Sequence, residues 1–316
     1  FPYTTLFRST IRMAAHAIRS GEGDVFIAAG VETVSRFASG AADGGKASNP
    51  LFNDAVARTA ERAPKATTPW APAPGLPDIY IAMGQTAENV AEYEKVSRQE
   101  MDEFALRSQQ LAGQHQNNGF FEREIIPVTR PDGVVVNKDD GPRPDTTLEK
   151  LASLQPAFRE GGSVTAGNAC PLNDGAAAVV VMSDTKAKEL GLKPLARIVS
   201  SGVSGLNPEI MGLGPIEASR MAMKRAGLTM KDIDLVEINE AFAAQVLPSA
   251  KHLEIPMEKL NIRGGGIALG HPFGMTGARI MTTLINSLED SGKRYGLETM
   301  CVGGGQGMAM IIERLD

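Results

Sequence analysis

Five strand-sized apolar runs in the second half of the chain, at 175–182, 195–202, 233–238, 297–302 and 308–314, constrain the fold more than any other feature. Helical periods or glycine turns separate them. Residues 215–226 read as a helix closed by Gly227, 240–252 as a helix after the third run, and 276–288 as a helix behind a glycine-rich turn. Strands alternating with helices imply a mostly parallel α/β sheet.

The first half carries less of this pattern. Ile11, Ala14, Ala15 and Ile18 share a helical face, and Gly21 and Gly23 stop that helix. Residues 24–30 read as a strand buried on both faces. Residues 36–78 are rich in Ala, Gly and Asp, and Pro64, Pro69, Pro72, Pro74 and Pro77 break regular structure there, so this stretch is an excursion from the core. A helix begins near Met83, and a second follows Ser97, which has capping-box spacing to Glu100. Residues 120–129 are expected to be extended, and 130–160 to be loop. The first nine residues, FPYTTLFRS, show no helical period that continues into 10–20 and resemble a translated sequencing adapter; they are set aside as an artefact.

Bulk properties exclude several classes. The 316 residues are 42% hydrophobic and 22% charged, with a net charge of −5, so no basic excess suggests nucleic-acid binding. No apolar run approaches the roughly 20 residues of a membrane span. The two cysteines, Cys170 and Cys301, make no disulfide framework, which points to the cytoplasm.

Three segments carry chemistry. NEAFA at 239–243 follows a strand and opens a helix, where α/β sheets place ligands; Asn239 there is either a ligand-orienting amide or a helix cap. GGGIALGHPFGMTGAR at 264–279 fixes His271 between Gly270 and Pro272, as a general base or a structural histidine. Neither nucleotide fingerprint fits this glycine turn. CVGGGQG at 301–307 puts Cys301 at a strand end before an open turn, as a reactive thiol or as core.

In this order and spacing the three segments resemble the C-terminal signature of thiolases. MGQTAENV at 83–90, VTAGNACPLNDGAAA at 164–178 and MGLGP at 211–215 extend the resemblance from Thr10 to the C-terminus. It implies a thiolase-like duplicated, layered α/β-sheet fold with an inserted loop domain and an incomplete N-terminal half. On that pattern 10–32 and 173–192 are a remnant of the N-terminal half, 33–172 the loop domain and 193–316 the C-terminal half.

The resemblance also implies an acyl-CoA acyltransferase working by Claisen or retro-Claisen chemistry. A nucleophilic Cys takes the acyl group as a thioester, and coenzyme A is a co-substrate rather than a permanent cofactor. His271 activates the nucleophile. Cys301 moves a proton to or from the α-carbon. Asn239 holds a water that, with His271, stabilises the enolate, and the Gly303 N–H forms part of an oxyanion hole. Met83, Ala157, Phe158, Ala166, Cys170, Ala241 and Phe242 are placed against coenzyme A. Arg143, Lys150 and Arg159 are candidates for its phosphates, solvated surface charge being the plain reading of each. No metal is implied, and the partners are small-molecule substrate and further copies in a homodimer or homotetramer.

Departures from the pattern set further expectations. The family's nucleophilic Cys aligns about six residues before Thr10, where Thr4 stands, and FPYTTLFRS has no cysteine. The chain is therefore expected to be N-terminally truncated and inactive as written. Arg263 replaces a common Asn. Ala82 favours a broader acyl substrate than acetoacetyl-CoA. Residues 30–36 lean toward actinobacterial enzymes of fatty-acid or sterol side-chain breakdown. A related ketoacyl synthase would use two histidines, and Cys301 stands at the second position instead. A non-catalytic thiolase-like acyl-CoA or lipid-binding protein is the alternative from another class.

Overall fold

The computed structural model describes residues 6–36 and 49–315. Helix α1, Leu6–Arg19, buries Ile11, Ala14 and Ala15 and ends before Gly21, whose positive φ of 77° suits glycine. The helix starts at Leu6, so residues 6–9 continue the helix that 10–20 had suggested alone. Thr4 lies outside the described residues.

Strand β1, Val25–Thr33, enters a long insertion. The insertion holds α2 (Asn53–Arg62), α3 (Met83–Glu94), α4 (Arg98–Asn117), the short strands β2 (Val128–Thr129) and β3 (Val135–Val136), and α5 (Leu148–Ala152). The Ser97–Glu100 capping box forms as the spacing predicted. Helix α2 was not expected; its ten residues lie ahead of the proline cluster and contain no proline. Residues 120–129 are not simply extended. Phe120–Arg123 is a 3₁₀ turn, because Phe120 and Phe121 are both buried and a strand would send neighbours to opposite faces. Within 130–160, α5 is capped by the Thr147 hydroxyl.

After the insertion come β4 (Asp174–Met182), α6 (Asp184–Glu189), β5 (Ala196–Gly205), α7 (Gly214–Ala226), β6 (Leu235–Ile238), α8 (Ala243–His252), α9 (Gly266–Leu269), α10 (Thr276–Ser291), β7 (Tyr295–Val302) and β8 (Gln306–Arg314). Strands β5-β8-β7-β6 form one sheet in that order, and β1 pairs with β4 in another. The expectation of a mostly parallel sheet is corrected: β6–β7 is parallel, whereas β5–β8, β7–β8 and β1–β4 are antiparallel. The cause is local. Residues 303–305 are too short a connection for a crossover, so β7 and β8 close as a hairpin.

The layers explain where the core lies. Ile11 of α1 and Met281, Leu284 and Leu288 of α10 pack between the two sheets, against Ala28 of β1 and Met310 and Ile312 of β8. Helix α7 covers the far face of the four-stranded sheet, α8 packs beside it, and α3 and α4 pack on α8, in one core that includes Ala218, Val246, Val90 and Phe104. Strand β1 was expected to be buried on both faces, but Ile27 is 72% exposed and Val31 64%, with Val180 of β4 beside them at 59%. Only the inward side of this pair meets α1 and α10.

Candidate active site

Strands β6 and β7 run in the same direction, with Ile238 opposite Thr299. The residue after β6 is therefore delivered next to the end of β7. Asn239 donates its backbone N–H to the Thr299 carbonyl at 3.0 Å, and Cys301 lies two residues further along β7. Asn239 is 1% exposed, and neither its Oδ1 nor its Nδ2 has a hydrogen-bond partner. The helix-cap reading fails, since this amide caps nothing. Glu240 takes the structural role beside it, accepting from the Ser108 hydroxyl, the Asn261 amide and the Ile267 N–H. Burial raises the Glu240 carboxyl, and those donors oppose the rise.

Gly266 packs directly on this corner: a Cβ there would lie 3.2 Å from Asn239 Oδ1 and 3.1 Å from the Glu240 carbonyl. Helix α9 ends at Leu269, and Gly270, with a φ of 88°, turns the chain into His271. His271 is 7% exposed and its ring stands edge-on to Phe273. Its Nδ1 lies 2.7 Å from the Thr276 hydroxyl, and that hydroxyl donates to the Pro272 carbonyl at 2.9 Å. A hydroxyl has one proton. Thr276 has given its proton to Pro272, so it accepts from His271 Nδ1–H. The lone pair of the neutral imidazole is then on Nε2. Sequence reasoning missed Thr276; its place at the start of α10, just past the His-Pro turn, was the available signal.

A third face comes from the insertion. The Cys170 N–H donates to the Ala241 carbonyl at 2.9 Å, and Ala169 bridges to Phe242. Met211, Ala241 and Cys301 form a small buried cluster on which Met83, Cys170 and Phe242 pack. Phe158 meets Phe242 edge-on, and Gly84 makes room for it, since any Cβ there would strike the Phe158 ring. Ala157 and Phe158 also line an open cleft of about 410 Å³ with Ala63 and Pro64. Ala166 is exposed at the tip of the turn before Cys170. Burial pushes the Cys170 thiol up to about 12, and the neighbouring Cys301 adds to the rise. A thiol so raised is protonated at neutral pH, which makes it a weak nucleophile.

The expected phosphate arginines fare differently. Arg159 is buried at 5% exposure, pairing with Glu92 and hydrogen-bonding Gln85 and Asn89, so it braces the insertion rather than facing solvent. Lys150 pairs with Asp145 on the surface. Arg263 now has an account: its guanidinium lies 4.2 Å over the Phe120 ring, pairs with Asp290 and contacts the His115 ring. It thereby ties α4 to the strand-end segment that precedes the glycine turn. Desolvation, followed by the Arg263 charge, lowers the His115 pKa. Among the described residues no group of three or more His, Cys, Asp or Glu is placed to hold a metal ion, and no helix is long and apolar enough to cross a membrane.

A carboxamide and a thiol at neighbouring strand ends, with an imidazole in the turn after α9, define a layered α/β protein with a thiol-containing site. Residues 8–185 match the model of the thiolase N-terminal domain and 192–314 that of the thiolase C-terminal domain. A probable acetyl-CoA acyltransferase of Staphylococcus epidermidis is 42% identical, over 97% of this chain and 76% of its own length. The structure of human mitochondrial 3-ketoacyl-CoA thiolase in complex with CoA is similar at a TM-score of 0.83 and 37% identity, covering 99% of this chain and 76% of that one. The dimeric peroxisomal thiolase of Saccharomyces cerevisiae gives a TM-score of 0.87 at 38% identity, covering 98% of this chain and 74% of that one. The chain belongs to the thiolase family. The leaning toward actinobacterial enzymes finds no support in these relatives.

Proposed function

We propose that the site performs the α-carbon half of thiolase chemistry on an acyl-CoA thioester. The observation that carries this reading is the Asn239 amide: fully enclosed, at a strand end, with both polar atoms unpartnered. A buried amide left without partners is costly, by about 1–3 kcal/mol per group, and such a group is kept where a ligand or bound water completes it. A relative holds CoA, and the wall formed by Met83, Phe158, Cys170 and Phe242 offers the apolar, aromatic surface that a pantetheine arm needs.

In this reading Cys301 exchanges a proton with the carbon next to the thioester carbonyl. The negative charge moves onto the carbonyl oxygen, where a water held by Asn239 and a protonated His271 Nε2 receive it. Thr276 keeps Nδ1 occupied, so Nε2 alone faces the chemistry, first as acceptor and then as donor. The Gly303 N–H serves the other oxyanion. Coenzyme A is co-substrate, and the family's 3-ketoacyl-CoA cleavage is the full reaction.

The full reaction also needs an acyl-carrying thiol. The two cysteines of these 316 residues are Cys170, held as a thiol, and Cys301, assigned to the proton step. A polypeptide of this sequence is therefore expected to bind acyl-CoA and not to form an acyl-enzyme. The test is deuterium exchange into the acetyl group of acetyl-CoA in D2O, read by mass spectrometry. Exchange should occur and fall about 10²-fold or more in Cys301→Ala and His271→Ala. Bound acetyl-CoA with no exchange would leave the non-catalytic binding protein as the correct reading.

A further inference from the structure

We propose that the sulfur atoms of Cys170, Cys301, Met211 and Met83 form a binding site for a soft monovalent cation of the Cu(I) or Ag(I) kind within the same cavity. Of the six side chains in that cluster, four carry sulfur. The chain has only two cysteines, 131 residues apart in sequence, and the fold brings both here.

Each sulfur stands on a fixed element. Cys301 is near the carboxyl end of β7. The backbone of Cys170 is pinned to Ala241. Met83 begins α3. Met211 lies in the 3₁₀ turn Pro208–Leu213, and the Asn89 amide of α3 donates to the Glu209 carbonyl of that turn at 3.0 Å. The thioethers of Met83 and Met211 are thus held on mutually bonded elements.

The donor set selects the metal class. Among the described residues the two thiols have no third His, Cys, Asp or Glu to meet the four-ligand habit of zinc. Calcium and magnesium require oxygen ligands. Thiolate and thioether together suit Cu(I) and its heavier congener, which tolerate low coordination and weak hydration. The surroundings favour a cation as well. Burial first, then the neighbouring Cys301 and Glu240, disfavour a Cys170 thiolate, and a cation bound by the thiols would offset that penalty. Cys301 and Met211 are buried, whereas Cys170 and Met83 are partly exposed, which gives a path of entry. On binding, each ligating thiol loses its proton to solvent, and the freed lone pair goes to the cation. Neither sulfur nor metal changes oxidation state.

The experiment titrates the reduced full chain, without oxygen, into the coloured Cu(I)–bicinchoninate complex. One Cu(I) per chain should be withdrawn. Cys170→Ser and Cys301→Ser should each weaken binding at least about 10-fold, and Met211→Leu, which keeps the packing volume, by a smaller factor. Binding by Cys170→Ser as tight as the parent's would overturn the site. So would two equivalents lost independently, one with each cysteine. If a serine variant fails to fold, X-ray absorption at the copper edge of the unmutated chain decides: one equivalent of Cu(I) should show two or more sulfur neighbours, and a single sulfur neighbour or none would refute the proposal.

Discussion

The unit α1–β1–β4 and the unit α10–β7–β8 are built alike and buried differently. In both, a helix leads through a short turn into a strand, and that strand pairs antiparallel with the last strand of the unit. The two helices lie side by side between the sheets. Beyond this the units diverge. Strands β7 and β8 gain β6 and β5 at their edges and α7 on their far face, so that seven of the eight β7 residues are buried. Strands β1 and β4 form a two-stranded ribbon whose outward residues, Ile27, Val31 and Val180, meet solvent. A two-stranded ribbon is marginal alone. The difference teaches that the local pattern of helix, turn and strand forms the unit, while neighbours decide how firmly it is held.

Three substitution sets can break or sharpen that comparison. The largest effect is expected at Gly307 in β8, where any Cβ collides with the backbone carbonyl of Gly214. Gly307→Ala should cost more than about 4 kcal/mol in denaturant unfolding. Gly175→Ala in β4 meets the flexible end of Met275 at 2.6 Å and the ring of Pro272 at 2.9 Å, and should cost about 1–2 kcal/mol. Equal costs would erase the distinction between the units. Next, Leu297→Ala removes a fully buried side chain from β7 and should cost about 2–5 kcal/mol. Ile27→Ala in β1 should stay within about 0.5 kcal/mol, because Ile27 already faces water. Light scattering should also fall in Ile27→Lys, which breaks up the exposed apolar face.

The smallest effect concerns charge, and it sets the buried sheet apart. Glu237 of β6 lies opposite Glu298 of β7, with both nearly inaccessible. Burial pushes Glu237 up to about 8, with Arg279 opposing and Glu240, Glu124 and Glu298 adding to the rise. Because the folded form holds this proton more tightly than the unfolded chain, its contribution is complete below the ordinary carboxylate range. It is lost as pH rises toward about 8. Melting temperature should therefore decline between about pH 4.5 and pH 8 and level off above that, and Glu237→Gln should flatten that decline by on the order of 1 kcal/mol. An unchanged slope in the variant would assign the decline elsewhere. On the acid side the lowered His115 pKa works in the opposite sense, removing stability as pH falls below its ordinary value.

Much of the architecture was legible in the chain. The glycine-bounded apolar runs and the Ser97 capping box gave most elements, because these signals act over a few residues. Strand direction was not legible. It follows from connection length and from partners distant in sequence, so β7–β8 antiparallel pairing emerged only with the structure. The exposed face of β1 was hidden for a related reason: Ile27 and Val31 are as apolar as core residues, and burial is decided by what packs on them. At the site, NEAFA, the His-Pro turn and the CVGGGQG strand end marked Asn239, His271 and Cys301. That Asn239 and Cys301 lie at neighbouring strand ends required the parallel register of β6 and β7. Arg263 looked anomalous until Phe120, Asp290 and His115 were seen around it.

The chain leaves the outer ribbon at Thr33 and rejoins it at Asp174, and these two residues face each other in the register. Ser35 fastens the exit by hydrogen bonds from its N–H and hydroxyl to the Asp174 carboxylate. The insertion thus leaves and re-enters the ribbon at one point, so its length imposes no strain on the ribbon. Evolution can therefore remodel the Met83 and Phe158 side of the site as a cassette, while the strand ends bearing Asn239 and Cys301 keep their alignment.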